Sequence, residues 1–229
     1  MRPIALLVTV ASLYSMVWAA EKESKTNERL EDASVLFKEI MDTPDKSIPQ
    51  DLLNKSHCIV LVPGLKKGGF VVAAKYGKGF VSCRTASGQG WGAPAAIRIE
   101  GGSVGLQIGV SSTDLVLLVM NERGMKRLLT SKFTLGGEAS VAGGPVGRNA
   151  TAQTDAMMTA EILSWSRSRG VFAGVSLDGA TLRSDVDENR NMYGQPWTGK
   201  EILNSGLKPP AGAAVLIRSL DKYSPRKSG

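Results

Sequence analysis

Between His57 and Arg98 the chain carries six basic side chains, Lys66, Lys67, Lys75, Lys78, Arg84 and Arg98, and no acid. Cations crowded without counter-charges are suited to holding anions: phosphate headgroups, nucleic acid or an acidic protein. The other reading is a solvated strand face with basic decoration. The bias is local, since residues 20–56 are net acidic and residues 99–160 are balanced, while the whole chain carries +7.

Other residues that could do chemistry fall short of a reaction. A single histidine, His57, leaves a histidine-dependent catalytic system or histidine-rich metal site without its parts. His57 and Cys58 are adjacent, so alternation along a strand sends them to opposite faces. Gly101–Gly105 lacks the Lys-Ser/Thr end of a phosphate loop and the spacing of a dinucleotide fingerprint. Asp185, Asp187 and Asn189 have the opening spacing of a calcium loop, but Arg190 replaces its glycine and Pro196 its final glutamate. That segment is expected to be a solvated helix face. Ser164 and Ser166 flank Trp165 without the glycines of a nucleophile elbow. No catalytic residue, metal ligand or cofactor site is expected. For Cys58 and Cys83, both placed on apolar strand faces, a disulfide and a pair of buried thiols are the two readings; if bonded, they are structural.

The elements that must position the basic groups follow from pattern. Leu30, Ala33, Val35, Leu36, Phe37 and Ile40 recur at helical spacing and predict a helix over 24–42, its stripe either core-facing or membrane-docking. A strand over 58–62 is followed by a hairpin, Phe70–Tyr76 and Gly79–Arg84, turned at Gly77-Lys78. That register puts Lys75 and Arg84 on one face with Phe80 and Ser82, Lys78 at the tip, and Lys66 and Lys67 at the far end. Strands are expected over 95–100, 103–110, 114–120, 157–166 and 171–177, with a turn at Gly101-Gly102. Asn121 is placed as a helix cap, Thr198 and Glu201 have capping-box spacing, and Pro209-Pro210 opens a last helix. Ser224–Gly229 is expected to be a mobile basic tail. The sum is an α+β fold: a mainly antiparallel, glycine-rich, short-stranded sheet or partly closed barrel flanked by helices.

Arg2, the apolar run Ile4–Leu13 and the small-x-small Val17-Trp18-Ala19 predict a secretory signal over 1–19, cut after Ala19. The mature protein is then expected outside the cytoplasm, in a periplasm.

Several blocks in fixed order carry a family resemblance: Val62-Pro63-Gly64-Leu65-Lys66-Lys67-Gly68-Gly69-Phe70, Lys75-Tyr76-Gly77-Lys78-Gly79, Trp91-Gly92-Ala93-Pro94, Gly143-Gly144-Pro145-Val146-Gly147-Arg148 and Ser164-Trp165-Ser166-Arg167. Over about 28–207 the chain resembles the SYLF domain family, taken here as a domain over 20–208 followed by a helix and tail over 209–229. The resemblance implies a non-enzymatic binding domain. Its partner is an anionic phospholipid membrane surface, phosphoinositide-like in the family, or alternatively an acidic or actin-like protein. Nucleic acid is not expected, and oligomeric state is left open. Lys66, Lys67, Lys75 and Lys78 are the family-like basic positions; with Arg84 they are the expected headgroup-binding set.

Overall fold

The structure, a computed structural model, describes residues 3–43, 47–69, 72–104, 109–130, 132–145, 159–168, 171–172, 177 and 179–225. The chain opens in one long helix, α1 (Pro3–Asp42). From Glu21 onward its side chains are described, and Leu30, Ala33, Leu36, Phe37 and Ile40 are buried at three- and four-residue spacing. The expected helix is therefore the second half of a longer one. Val35 departs from the expected stripe and is 46% exposed. A short helix, α2 (Gln50–Lys55), then leads into the sheet.

Strands β1 (Cys58–Gly69), β2 (Val72–Cys83), β3 (Ala95–Val104) and β4 (Gly109–Val119) form an antiparallel centre. Helix α3 (Glu122–Leu128) follows, then β5 (Lys132–Thr134), β6 (Val141–Gly143), β7 (Ile162–Ser168), β8 (Val171–Phe172) and β9 (Thr181–Ser184). Strand order is β5-β9-β3-β2-β1-β4-β7-β6, with β8 on β7, and only β6 and β7 pair in parallel. The sheet curls strongly into a half-barrel, giving the expected α+β class. Helices α4 (Val186–Tyr193), α5 (Gly199–Asn204) and α6 (Ala214–Tyr223) complete the described elements.

Alternation along the strands makes two cores. Cys58, Val60, Val81, Ile97, Leu117 and Leu182 fill the inner side of the curl. Ile59, Leu61, Phe80, Val116 and Trp165 face outward and are covered by α1 and α6. Leu216 and Leu220 of α6 belong to this second core, so the last helix is built into the fold. Both cores rely on aliphatic burial at about 25 cal/mol per Å² of apolar surface.

Two expected turns are not turns. Gly77-Lys78 lies inside β2, and Gly101-Gly102 lies inside β3. The β1–β2 connection falls instead at 70–71, outside the described residues. Glycine here serves close approach: a Cβ on Gly79 would stand 2.1 Å from the Leu61 carbonyl oxygen. Gly64, at φ +63°, sits in the β1 bulge, and its N–H donates to Asp114 Oδ1 at 3.0 Å.

Cap predictions hold. Asn121 accepts from the Gly124 N–H, and Thr198 and Glu201 form a full capping box. A single 3₁₀ turn, Ala211–Ala213, precedes α6 after Pro210. The expected strand over 157–166 starts at Ile162, and that over 171–177 is described only as β8. Gly147, Arg148 and the side chains before Glu21 lie outside the described residues.

Candidate anion-binding surface

The absence of a turn at Gly77-Lys78 redistributes the basic side chains. Lys66 pairs directly with Tyr76 and Lys67 with Lys75 across β1 and β2. Lys66 and Tyr76 share the outer face; Lys66 is exposed, and Tyr76 at 45% joins Val35 as an exposed large hydrophobic. Lys66 also borders a groove of about 550 Å³ against α1, with Arg29, Asp32, Val35 and Asp114 on its other walls. Lys67 and Lys75 share the inner face. Lys67 is half-buried, whereas Lys75 is 6% exposed and engaged within the molecule. Strand parity puts Lys75 with Val81 and Cys83, not with Phe80 as expected.

Lys78 is not at a tip. Its Nζ lies 2.8 Å from Asp185 Oδ2 and 3.2 Å from Glu188 Oε2. Glu188 Oε1 also accepts from Arg29 and from the Thr26 hydroxyl, each at 2.6 Å. Asp185 caps α4 through the Glu188 N–H. Two buried carboxylates thus clamp β2 to α1 and α4. Burial works against the Lys78 ammonium, but Asp185 and Glu188 outweigh it and hold its pKa above the ordinary lysine value.

Arg84 is likewise turned inward. Its guanidinium donates to the Leu53 carbonyl at 3.0 Å, to the Ser224 carbonyl at 2.6 Å and to the Ser224 hydroxyl, and it stacks 3.9 Å from the Trp91 ring centre. Ser224, expected in a mobile tail, is fully buried by these contacts and by Trp91 Nε1. Cys58 and Cys83 are directly opposed across β1 and β2 and joined as a disulfide.

Of the five expected headgroup residues, the structure pairs Lys67 with Lys75 on the inner face, leaves Lys66 on the outer face of the same hairpin, and sends Lys78 and Arg84 to internal partners. Asp185 and Glu188 escape a reading by composition because they lie more than a hundred residues from Lys78. Their one local signal is the helix-cap spacing of aspartate and glutamate before Asn189. The helix face expected to be solvated buries Asp185, Glu188 and Asn189.

Comparison with known proteins finds relatives over most of this chain. The bovine and human SH3 domain-containing YSC84-like protein 1 are 35% and 36% identical to this chain over 182 residues, which is 79% of the chain and 53% of each relative. LAS seventeen-binding protein 3 of Saccharomyces cerevisiae is 34% identical over 194 residues, 81% of this chain and 41% of the relative. The chain spans about half the length of the curated relatives it matches, or less. Residues 100–223, more than half of the chain, match the family model Ysc84, described as Las17-binding protein actin regulator, and the chain belongs to that family.

Proposed function

We propose that this chain is a non-enzymatic binding module that docks on anionic phospholipid surfaces through the distal half of the β1–β2 hairpin. Lys66 from the outer face and Lys67 from the inner face of the hairpin supply the headgroup contacts, with Lys75 beside Lys67, and Tyr76 enters the interface next to Lys66. The observation that carries this reading is the directly paired Lys66 and Tyr76, both exposed on one face. A cation beside an amphipathic ring matches the headgroup level of a bilayer, where tyrosine is enriched and each lysine contributes about 1 kcal/mol. Lys78 and Arg84 drop out of the headgroup set because their charges are spent internally.

The test is vesicle sedimentation with phosphatidylserine-containing and pure phosphatidylcholine vesicles. Reversing both lysines, Lys66→Glu with Lys67→Glu, is expected to weaken anionic-vesicle binding by about thirtyfold or more, the equivalent of about 2 kcal/mol for the two lost charges alone. Added salt should weaken the wild-type chain similarly. Lys200→Glu with Lys208→Glu, reversing exposed lysines elsewhere, controls for generic charge. Unchanged binding of the hairpin variant, or equal binding to neutral vesicles, would sink the reading.

A second reading, favoured by the family description and the relatives' names, puts an acidic or actin-like protein on the same patch. Co-pelleting with actin filaments, lost in the same double variant without any vesicle dependence, would select it. We further propose export with cleavage after Ala19, on the charged start, apolar run and small-residue cut. Mass spectrometry of the mature protein should then find Ala20 first; an intact Met1 would refute it.

A further inference from the structure

The outer face of the sheet carries a second cationic arrangement that composition does not reveal. Lys78 on β2 is directly opposite Arg98 on β3, Arg98 is opposite Arg183 on β9, and Arg183 is opposite Lys132 on β5. Four neighbouring strands thus present a cation at the same level. Like charges directly across strands repel, so the row needs counter-charges. At its inner end they are present: Asp185 and Glu188 for Lys78, and Glu100 Oε1 for Arg98 at 2.8 Å. Towards the edge they run out. Glu100 reaches Arg183 with its second oxygen at 3.1 Å, and the Arg183 side chain stays 41% exposed. Lys132 is exposed, and its ammonium has no ion pair or hydrogen bond among the described residues.

The next level adds hydroxyls. Thr181 on β9 is directly opposite Thr134 on β5, two residues along from Arg183 and Lys132 and therefore on the same face. Neither hydroxyl has a hydrogen-bond partner among the described residues. Glu138, the nearest acid in sequence, accepts from the Thr134 N–H at 2.6 Å. It therefore sits at the open edge of β5 and not on the face. Directly opposed residues stand about 5 Å apart and alternate residues about 7 Å apart, so the four side chains bound a patch the size of one tetrahedral anion.

We propose that Lys132, Thr134, Thr181 and Arg183 form a site for a single phosphate-type oxyanion. The guanidinium and ammonium would neutralise its charge, and the two hydroxyls would donate to its remaining oxygens. The anion would supply the counter-charge that the row lacks at its edge. This site is separate from the Lys66–Tyr76 patch: β3 lies between them, and its Glu100 stands directly opposite Tyr76 on one side and Thr181 on the other.

The test is an NMR titration of the full chain with inorganic phosphate at constant ionic strength, with chloride as comparator. Saturable shifts are expected at the amides of 132–134 and 181–183. Lys132→Ala is expected to weaken binding about tenfold, the loss of one charge-assisted hydrogen bond. Thr181→Val, nearly the same shape, should weaken it by a smaller factor. Phosphatidic acid vesicles that displace phosphate identify a lipid headgroup as the source, whereas vesicles that leave it bound identify a soluble phosphate compound. No saturable shift, equal shifts with chloride, or full affinity in Lys132→Ala would overturn the proposal. In the last case Lys132 serves only to keep the sheet edge from pairing with other chains. The Lys66→Glu, Lys67→Glu chain should titrate with phosphate normally, so failure of this site and failure of the hairpin reading are told apart.

Discussion

An Asp185→Ala chain is expected to lose about 3–5 kcal/mol of stability, the usual cost of removing one partner from a buried ion pair. Asp185 is 1% exposed, and Lys78 would be left against Glu188 alone, while Arg98 would lose its more distant partner at 3.9 Å. The same change removes the cap of α4, itself worth about 1 kcal/mol. Urea denaturation reads the loss, and Asp185→Asn, which keeps a cap acceptor, separates charge from capping. A loss under about 1 kcal/mol in Asp185→Ala would show that the clamp does not hold the fold.

Reversal at Lys78 belongs to the same experiment. From sequence alone it is a surface change with little effect on stability; in the structure it sets a carboxylate against Asp185 and Glu188. Loss of ligand binding in such a variant would report unfolding. The pH dependence has a definite sign. The folded pKa of Lys78 lies above its unfolded value, so its contribution is complete below about pH 10 and is lost as pH rises through the folded value. Lys78→Met should therefore lack part of the alkaline decline in stability shown by the wild-type chain. An identical alkaline profile would count against the pairing.

Removing the disulfide is the second large effect. Cys58 and Cys83 are 25 residues apart, and closing a loop of that length constrains the unfolded chain by about 3.5 kcal/mol. For a protein of this size the double variant Cys58→Ser, Cys83→Ser should melt roughly 7–14 °C lower. Because the two residues are already in register on adjacent strands, the folded structure should change little, and the reduced wild-type chain should melt with the variant. Equal melting of oxidised and reduced wild-type chains would remove the bond from the account of stability.

The residues that act locally are readable without coordinates. Asn121 and Thr198 with Glu201 mark helix starts because their side chains satisfy N–H groups within three residues, and Pro210 marks one because its fixed φ suits entry into a helical turn. The buried stripe from Leu30 to Ile40 follows from helical spacing, and the half-buried strands from alternation. The family-like blocks and the α+β class come from the same short-range order.

Glycine is where local reading fails, since one residue type serves both tight turns and close packing. Gly77 and Gly101 sit in strands where other segments of the chain press against them: a Cβ on Gly77 would meet Leu65 and Val62 side-chain carbons at 2.8 Å, and one on Gly101 would meet the Ala180 backbone at 3.0 Å. Without that turn the parity of β2 inverts, and Lys75 goes to the inside of the curl.

Charge is the other case. The sequence by itself determines that residues 57–98 hold cations and no acids, and that six such groups are available for anions. Only the tertiary structure decides which of them remain so. Asp185, Glu188 and Ser224 arrive from the far end of the chain and take up Lys78 and Arg84, while Lys66 and Lys67 stay accessible. Coulomb and hydrogen-bond energies depend on distances of a few ångströms in space, which separation along the chain does not record.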